Sequence, residues 1–219
     1  MTDLIIRQAR VVDAQQDQVA DVAIIGSTIT EIAPQIATSA PSEIDAIGLV
    51  LFPGGIDPHV HFNEPGRVDW EGLETGSAAL ARGGMTSFFD MPLNSTPPTN
   101  TVADYRTKRQ LADAKSAVNA FLWAGLTPHN LDHLEALSET DVVGFKAFMS
   151  NSGIDDFAAV DDAALYRGMR ILAPLGKIVA VHAENDSLTQ ALAAEAIAAG
   201  RIGIRDYLHS RPVVAELEA

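Results

Sequence analysis

The sequence of 219 residues contains no cysteine, which excludes disulfide bonds and any metal site built from thiolates. A bound metal must therefore be held by histidine, carboxylate or a modified side chain. Positive charge is also scarce: lysine and arginine number 15 against 29 aspartate and glutamate residues, giving a formal net charge of −14. Because nucleic acids and anionic membrane surfaces attract basic proteins, we expect neither as a partner.

Long apolar runs are missing as well. No stretch approaches the roughly 18 residues that a membrane-spanning helix needs. The first residues, Met1–Arg7, lack the basic segment and apolar segment of a signal peptide. These observations predict a cytoplasmic protein. Its 47% hydrophobic and 20% charged residues are typical of a globular chain with a substantial core.

The first fifty residues are rich in isoleucine and valine and predict a small all-β segment. Polar or glycine-containing turns separate the β-branched runs. The predicted strands span residues 4–12, 22–25, 29–32 and 47–52. We expect residues 1–50 to form a β-sandwich segment and residues 51–219 to form a second domain.

In the second domain strands alternate with helices. The first strand leads into His59, and four more are predicted at residues 85–90, 120–125, 142–148 and 178–182. Helices are predicted at residues 102–114, 131–137, 161–173 and 187–199. This alternation indicates parallel βαβ units and an α/β fold.

Polar side chains collect directly after these strands, at the edge where a (β/α)₈ TIM barrel builds its active site. A doubly wound sheet would bind ligands at the same edge, but convergence of five strand ends favours the barrel. A complete barrel takes roughly 250 residues, and residues 216–219 fall inside a predicted helix. We therefore expect an incomplete barrel of about five strands, with about three strand–helix units missing from a C-terminally truncated chain.

A histidine pair suggests a metal site at the first of these strand ends. His59 and His61 are two residues apart, so both point to one face of a strand. Taken alone, such a pair is more often two hydrogen-bonded histidines near a turn. If His59 and His61 bind a metal ion, we expect Asp57 to orient them.

Two further strand-end side chains strengthen the metal interpretation. Lys146 lies on a predicted interior strand, where a cation is costly. It either reaches the surface or an acidic partner, or it is neutral and captures carbon dioxide as a carbamate, an anionic ligand. His182 ends another strand and is either a core histidine or a ligand. The remaining histidines are expected at the surface: His129, His133 and His209.

Several strings in the sequence resemble the cyclic amidohydrolases and, within them, the allantoinase group. The resemblance extends over the whole chain and depends on a set of short motifs taken together. The strings are Asp57–Arg67, Trp70–Gly72, Asp90–Ser95, Gly144–Phe148, Ser152–Asp155, Val181–Glu184 and Ser210–Pro212.

This resemblance implies a (β/α)₈ barrel beside a small β-sandwich, and two divalent metal ions, usually zinc, bridged by a carboxylated lysine. Carried over to this sequence, His59 and His61 bind one ion, Lys146 bridges both, and His182 binds the other. A further histidine and the catalytic aspartate of the family follow on later strands, beyond Ala219. No catalytic acid–base residue is therefore expected within the chain, and the full-length enzyme is expected to be a homo-oligomer.

Within the family, the resemblance favours hydrolysis of allantoin to allantoate. Asn63 stands where dihydroorotases typically have an arginine for the substrate carboxylate, and Ser150 and Asn151 follow the lysine motif where hydantoinases commonly have a tyrosine. Asn63, Asn94 and Asn151 are candidates for binding the substrate, although Asn94 or Asn151 could simply cap a loop. The alternatives are dihydroorotase or hydantoinase (dihydropyrimidinase) activity, or, in another class, a non-enzymatic scaffold homologue or an inactive fragment.

Overall fold

The computed structural model describes all 219 residues, which fold into two compact units, residues 1–54 and 55–219. None of the helices combines the length and the apolar composition needed to cross a membrane.

The N-terminal unit is a five-stranded sheet. Its strands are β1 (Leu4–Val12), β2 (Asp17–Ile25), β3 (Thr28–Ala33), β4 (Ser42–Asp45) and β5 (Val50–Leu51). The order is β3-β2-β1-β4, with β5 also beside β1; β1, β2 and β3 are antiparallel, whereas β4 and β5 run parallel to β1. The unit thus contains one sheet, and the sandwich expected from the sequence stays a prediction. Because β5 belongs to this sheet, the unit extends past residue 50, where the sequence placed the division.

A bulge interrupts β1 between Ile6 and Ala9, and Gln8 adopts a φ of 55° there. The buried carboxylate of Asp21 accepts hydrogen bonds from the main-chain N–H groups of Gln8 (2.9 Å) and Ile36 (3.0 Å). Arg7 Nη1 also donates to it at 2.9 Å. One carboxylate therefore fixes the bulge and satisfies donors that the sheet leaves unpaired.

The second unit alternates strands with helices. Its strands are β6 (Gly55–Val60), β7 (Met85–Asp90), β8 (Asn119–Leu122), β9 (Ala124–Gly125), β10 (Gly144–Phe148) and β11 (Ile178–His182). Its helices are α1 (Leu73–Arg82), α2 (Val102–Lys115), α3 (Leu134–Ser138), α4 (Asp162–Leu172), α5 (Asp186–Ala198), α6 (Ile204–His209) and α7 (Val213–Glu218). Every strand pairing is parallel, which confirms the predicted α/β class.

The predicted strand over residues 120–125 is divided at Trp123 into β8 and β9. On one side β8 pairs with β7, and on the other β9 pairs with β10. The Trp123 N–H donates to the Asp90 carbonyl at 3.0 Å, and the Leu126 N–H donates to the Lys146 carbonyl at 2.8 Å. The strands therefore follow one another in chain order, and all their carboxyl ends lie on the same side.

Leucine and phenylalanine side chains between the strands and the outer helices form the main core. Leu122, Leu126, Leu134 and Phe145 are fully buried in one cluster. Burial of each such side chain contributes about 1.5–3 kcal/mol relative to exposure. This packing holds the strands in place, so that the residues after their carboxyl ends have defined positions.

Candidate metal centre

The histidine pair lies at the carboxyl end of β6. The rings of His59 and His61 have centroids 5.3 Å apart, as expected for alternate residues of an extended segment. His61 Nδ1 lies 3.4 Å from the Leu93 carbonyl oxygen, which leaves Nε2 for another partner. Asp57 accepts the main-chain N–H of His59 at 3.1 Å, so it fixes the backbone and orients neither ring directly.

Lys146 projects from β10 and is only 6% exposed. Its Nζ forms no hydrogen bond or ion pair and lies 5.3 Å from the centroid of the Phe148 ring. Burial lowers the pKa of this amine below its ordinary value. The structure therefore contradicts the two ordinary interpretations of this lysine, an exposed head group or an acidic partner.

His182 ends β11, beside Phe148 of β10 in the sheet register. The two rings stack with centroids 4.8 Å apart and an angle of 18° between their planes. Its side chain is 47% exposed, and Nε2 lies 3.0 Å from Glu184 Oε2. His182 is thus a strand-end side chain open to solvent rather than a core histidine.

Burial and neighbouring charges lower the pKa values of the two paired histidines. Burial, and then the positive charge of Lys146, lowers the pKa of His59, and His182 acts in the same direction. Burial also lowers the pKa of His61. Both shifts favour the neutral imidazole, which is the form that binds metal. His59 and His61 thus lie side by side, and Lys146 Nζ and the His182 ring lie 5.3 Å and 4.8 Å from the centroid of the same Phe148 ring. Binding of one metal centre by all four residues stays a prediction.

The donor set fits a metal centre only if Lys146 is included. No three histidine or carboxylate side chains are by themselves close enough to hold an ion. A lowered pKa favours the neutral lysine amine, the form that reacts with carbon dioxide, and the product has two oxygens that share one negative charge. A buried lysine without a counter-ion, next to neutral histidines, matches that chemistry.

The three candidate substrate-binding asparagines differ in their surroundings. Asn63 and Asn94 adopt left-handed backbone conformations, with φ of 59° and 71°, in the loops after strands β6 and β7. Neither side-chain amide forms a hydrogen bond within the protein, although Asn63 is buried. Asn151 is exposed, and its Oδ1 accepts the Gly153 N–H at 2.8 Å. The alternative of a loop cap therefore describes Asn151, whereas Asn63 and Asn94 keep their amides available.

The structure adds a buried ion pair that sequence analysis missed. Lys108 Nζ of α2 lies 3.0 Å from Asp90 Oδ2, and both side chains are buried. Asp90 also accepts the Phe62 N–H at 3.2 Å, and Lys108 donates to the Met91 carbonyl at 2.8 Å. The pair ties the segment that carries His61 to the end of β7. Nothing in the spacing of Lys108 within α2 distinguishes it from an exposed helical lysine.

The other histidines do not belong to this group. His129, His133 and His209 are exposed, as predicted.

Parallel βα units with a His-x-His pair, a buried lysine and a further histidine at their strand ends are typical of metal-dependent hydrolases. The profile of the Amidohydrolase family matches residues 50–215, and the chain belongs to this family.

Curated relatives and solved structures extend this result. The chain is 52% identical to an allantoinase from Deinococcus radiodurans and 51% identical to one from Solibacter usitatus, over 99% and 100% of its own length. These alignments cover 48% of each relative, so the chain spans about half the length of the curated relatives it matches. A solved L-hydantoinase (dihydropyrimidinase) from Arthrobacter aurescens superposes with a TM-score of 0.93 at 32% identity, over 100% of this chain and 49% of that one.

Proposed function

We propose that the protein carrying this chain hydrolyses a cyclic amide, with allantoin as its substrate and allantoate as its product. The observation that carries the proposal is Lys146, a buried lysine without a hydrogen-bond or ion-pair partner, whose amine lies 5.3 Å from the Phe148 ring on which His182 stacks. Similarity to two allantoinases at 51–52% identity supports the choice of substrate.

The proposed centre holds two divalent ions, with zinc as the expected metal. His59 and His61 would hold one ion, His182 the other, and carboxylated Lys146 both. When bound, such ions supply Lewis acidity toward a carbonyl oxygen and acidify water near neutral pH.

Lys146 becomes a ligand through a reaction of its own. The neutral amine attacks the carbon of carbon dioxide, a C–N bond forms, and one amine proton leaves to solvent. The carbamate carries one negative charge, shared by two oxygens. Burial supports this step because it disfavours the ammonium form, which has no lone pair for the attack.

Asn63 and Asn94 are proposed to orient the substrate. Amide side chains suit a neutral ureido or ring amide group, since each offers both a donor and an acceptor. Their left-handed backbone conformations support this role, because strained backbone is frequent at ligand-binding sites. Asn151 has only its side-chain nitrogen available to bind the substrate, because its side-chain oxygen accepts the Gly153 N–H.

The architecture and assembly of the whole protein are part of the proposal. We propose that β6–β11 form part of a (β/α)₈ barrel and that the N-terminal sheet forms part of a sandwich, which the match to the solved hydantoinase supports. A homo-oligomeric state is proposed on the family resemblance alone, and location in the cytoplasm is proposed as the sequence composition predicts it.

The second candidate function is hydantoinase (dihydropyrimidinase) activity. The observation that favours it is the TM-score of 0.93 to the L-hydantoinase.

An assay of the full-length, zinc-loaded protein against allantoin, hydantoin, dihydrouracil and dihydroorotate distinguishes allantoinase from hydantoinase activity. We expect the highest kcat/KM with allantoin. Preference for one of the other rings would overturn the substrate assignment, and absence of all turnover would favour a scaffold protein.

A pair of histidine variants tests the metal centre in the same assay. We expect His61→Ala to lose zinc and activity, and His133→Ala, an exposed histidine of the same chain, to keep both. Equal behaviour of the two variants would contradict the proposed centre.

A further inference from the structure

Glu184 lies at the centre of a polar cluster next to His182. Its Oε2 is 3.0 Å from His182 Nε2 and accepts the Ser150 hydroxyl at 3.2 Å. Arg211 Nη1 approaches the same oxygen at 3.5 Å. Three segments far apart in sequence thus meet at one carboxylate oxygen.

The surroundings hold this cluster in position. Ser150 is buried, and the guanidinium of Arg211 lies 5.2 Å from the centroid of the Tyr207 ring. On its other side, the His182 ring is stacked on Phe148. The imidazole therefore has one ring face and one ring nitrogen fixed by neighbours.

The contact with Glu184 also selects the tautomer. An ionised carboxylate only accepts hydrogen bonds, so Nε2 of His182 must carry the proton in this contact. The lone pair of the neutral ring is then on Nδ1. Histidines that bind metal through one nitrogen usually donate from the other to a carboxylate, and loss of that partner weakens metal binding about 10–100-fold.

We propose that Glu184 is a positioning residue that orients His182 and presents Nδ1 to the second metal ion, with Ser150 and Arg211 holding the carboxylate in place. This inference rests on the metal centre of the proposed function. It also assigns Ser150 a role: its hydroxyl is engaged by Glu184 and is not directed at the substrate.

The test measures metal retention rather than turnover. Full-length zinc-loaded protein is mixed with a chromogenic chelator, and the release of each zinc equivalent is followed for wild type, Glu184→Ala and Glu184→Gln. We expect Glu184→Ala to release one equivalent about 10–100-fold faster and the other at the wild-type rate. Glu184→Gln should lie between the two, because an amide oxygen still accepts from Nε2 but lacks the charge. The visible spectrum of the cobalt-substituted protein should change in the same order.

Glu195→Ala is the matched control, since it removes an exposed glutamate from α5 and should behave as wild type. A purely structural role for Glu184 would lower the melting temperature of the metal-free protein and release both equivalents equally fast. That result, or unchanged release in Glu184→Ala, would overturn the positioning role alone. Wild-type protein that binds no zinc would overturn the metal centre itself, and the positioning role with it.

Discussion

The amine of Lys146 lies on a buried strand and has no hydrogen-bond or ion-pair partner. Folding gains nothing from such a group, since its desolvation is not compensated. A largely buried lysine without a partner is expected where chemistry requires the amine. The same burial that makes the residue costly favours the neutral amine.

A substitution at Lys146 separates these two effects. We expect Lys146→Met to abolish zinc binding without lowering the unfolding free energy of the metal-free protein, because methionine fills the buried site without a charge to desolvate. Zinc content after dialysis and chemical unfolding of the metal-free protein measure the two outcomes.

Lys115→Met serves as the control. Lys115 pairs with Glu64, so its removal should leave zinc binding intact and lower stability. If Lys146→Met retains zinc, or if both variants lose stability equally, the functional interpretation of Lys146 is wrong.

Asn63 and Asn151 allow a matched comparison of the proposed substrate contacts. Aspartate tolerates the left-handed conformation of Asn63, so Asn63→Asp should keep the backbone conformation at this position. It loses the amide donor and adds a charge, and we expect kcat/KM for allantoin to fall about 10–100-fold, the equivalent of roughly 1.4–2.8 kcal/mol. In Asn151→Asp the carboxylate can still accept the Gly153 N–H, so activity should change little. If steady-state kinetics show a loss of kcat/KM in Asn151→Asp and none in Asn63→Asp, the substrate contact belongs to Asn151 instead of Asn63.

The bulge in β1 provides a prediction at the level of the N-terminal sheet. Burial alone would raise the pKa of Asp21, but the N–H groups of Ile36 and Gln8 and the Arg7 guanidinium hold it well below its ordinary value. We expect Asp21→Asn to lower the unfolding free energy by about 2 kcal/mol at pH 7, because hydrogen bonds to a charged group are lost. Urea unfolding followed by circular dichroism measures this loss.

The sign of the pH dependence follows from the lowered pKa. The stabilisation by Asp21 is complete above the pKa of a free aspartate, about 3.9, and is lost as the pH falls below it toward the folded-state pKa. The difference between wild type and Asp21→Asn should therefore be about 1 kcal/mol smaller at pH 3 than at pH 7. Asp17→Asn, which removes an exposed partner of Arg10, should cost at most about 1 kcal/mol. An Asp21→Asn effect that does not change with pH would contradict the hydrogen-bonding account.

Strands with continuous apolar sequence could be predicted from the chain alone. β7 (Met85–Asp90) and β11 (Ile178–His182) have the predicted bounds, because β-branched and aromatic residues fill them. β4 (Ser42–Asp45) was missed because three of its four residues are polar and all four are exposed, and its pairing with β1 is a property of the sheet. α1 was missed because Gly76 lies inside it, where the ring of Phe62 leaves no room for a side chain.

The residues of the candidate site also fall into those that the sequence predicts and those that it does not. His59, His61, Lys146 and His182 could be predicted because each lies within or directly after a recognisable strand. Glu184, Ser150 and Arg211 meet only through tertiary packing, and their spacing in sequence predicts no contact between them. The Asp90–Lys108 pair is equally invisible, because the burial of one face of α2 depends on what packs against it.

At the scale of the whole molecule, the four proposed ligands all belong to the unit of residues 55–219, and none lies in residues 1–54. A ligand that binds only the folded state stabilises it by about 2.7 kcal/mol at a hundredfold excess over Kd. Zinc should therefore slow amide hydrogen exchange in β6, β10 and β11 of the full-length protein, as measured by mass spectrometry, and leave β1 and β2 unchanged. The Lys146→Met variant should show no zinc-dependent protection. Protection of β1 and β2 to the same extent, or protection that persists in the variant, would mean that zinc binds elsewhere than at these strand ends.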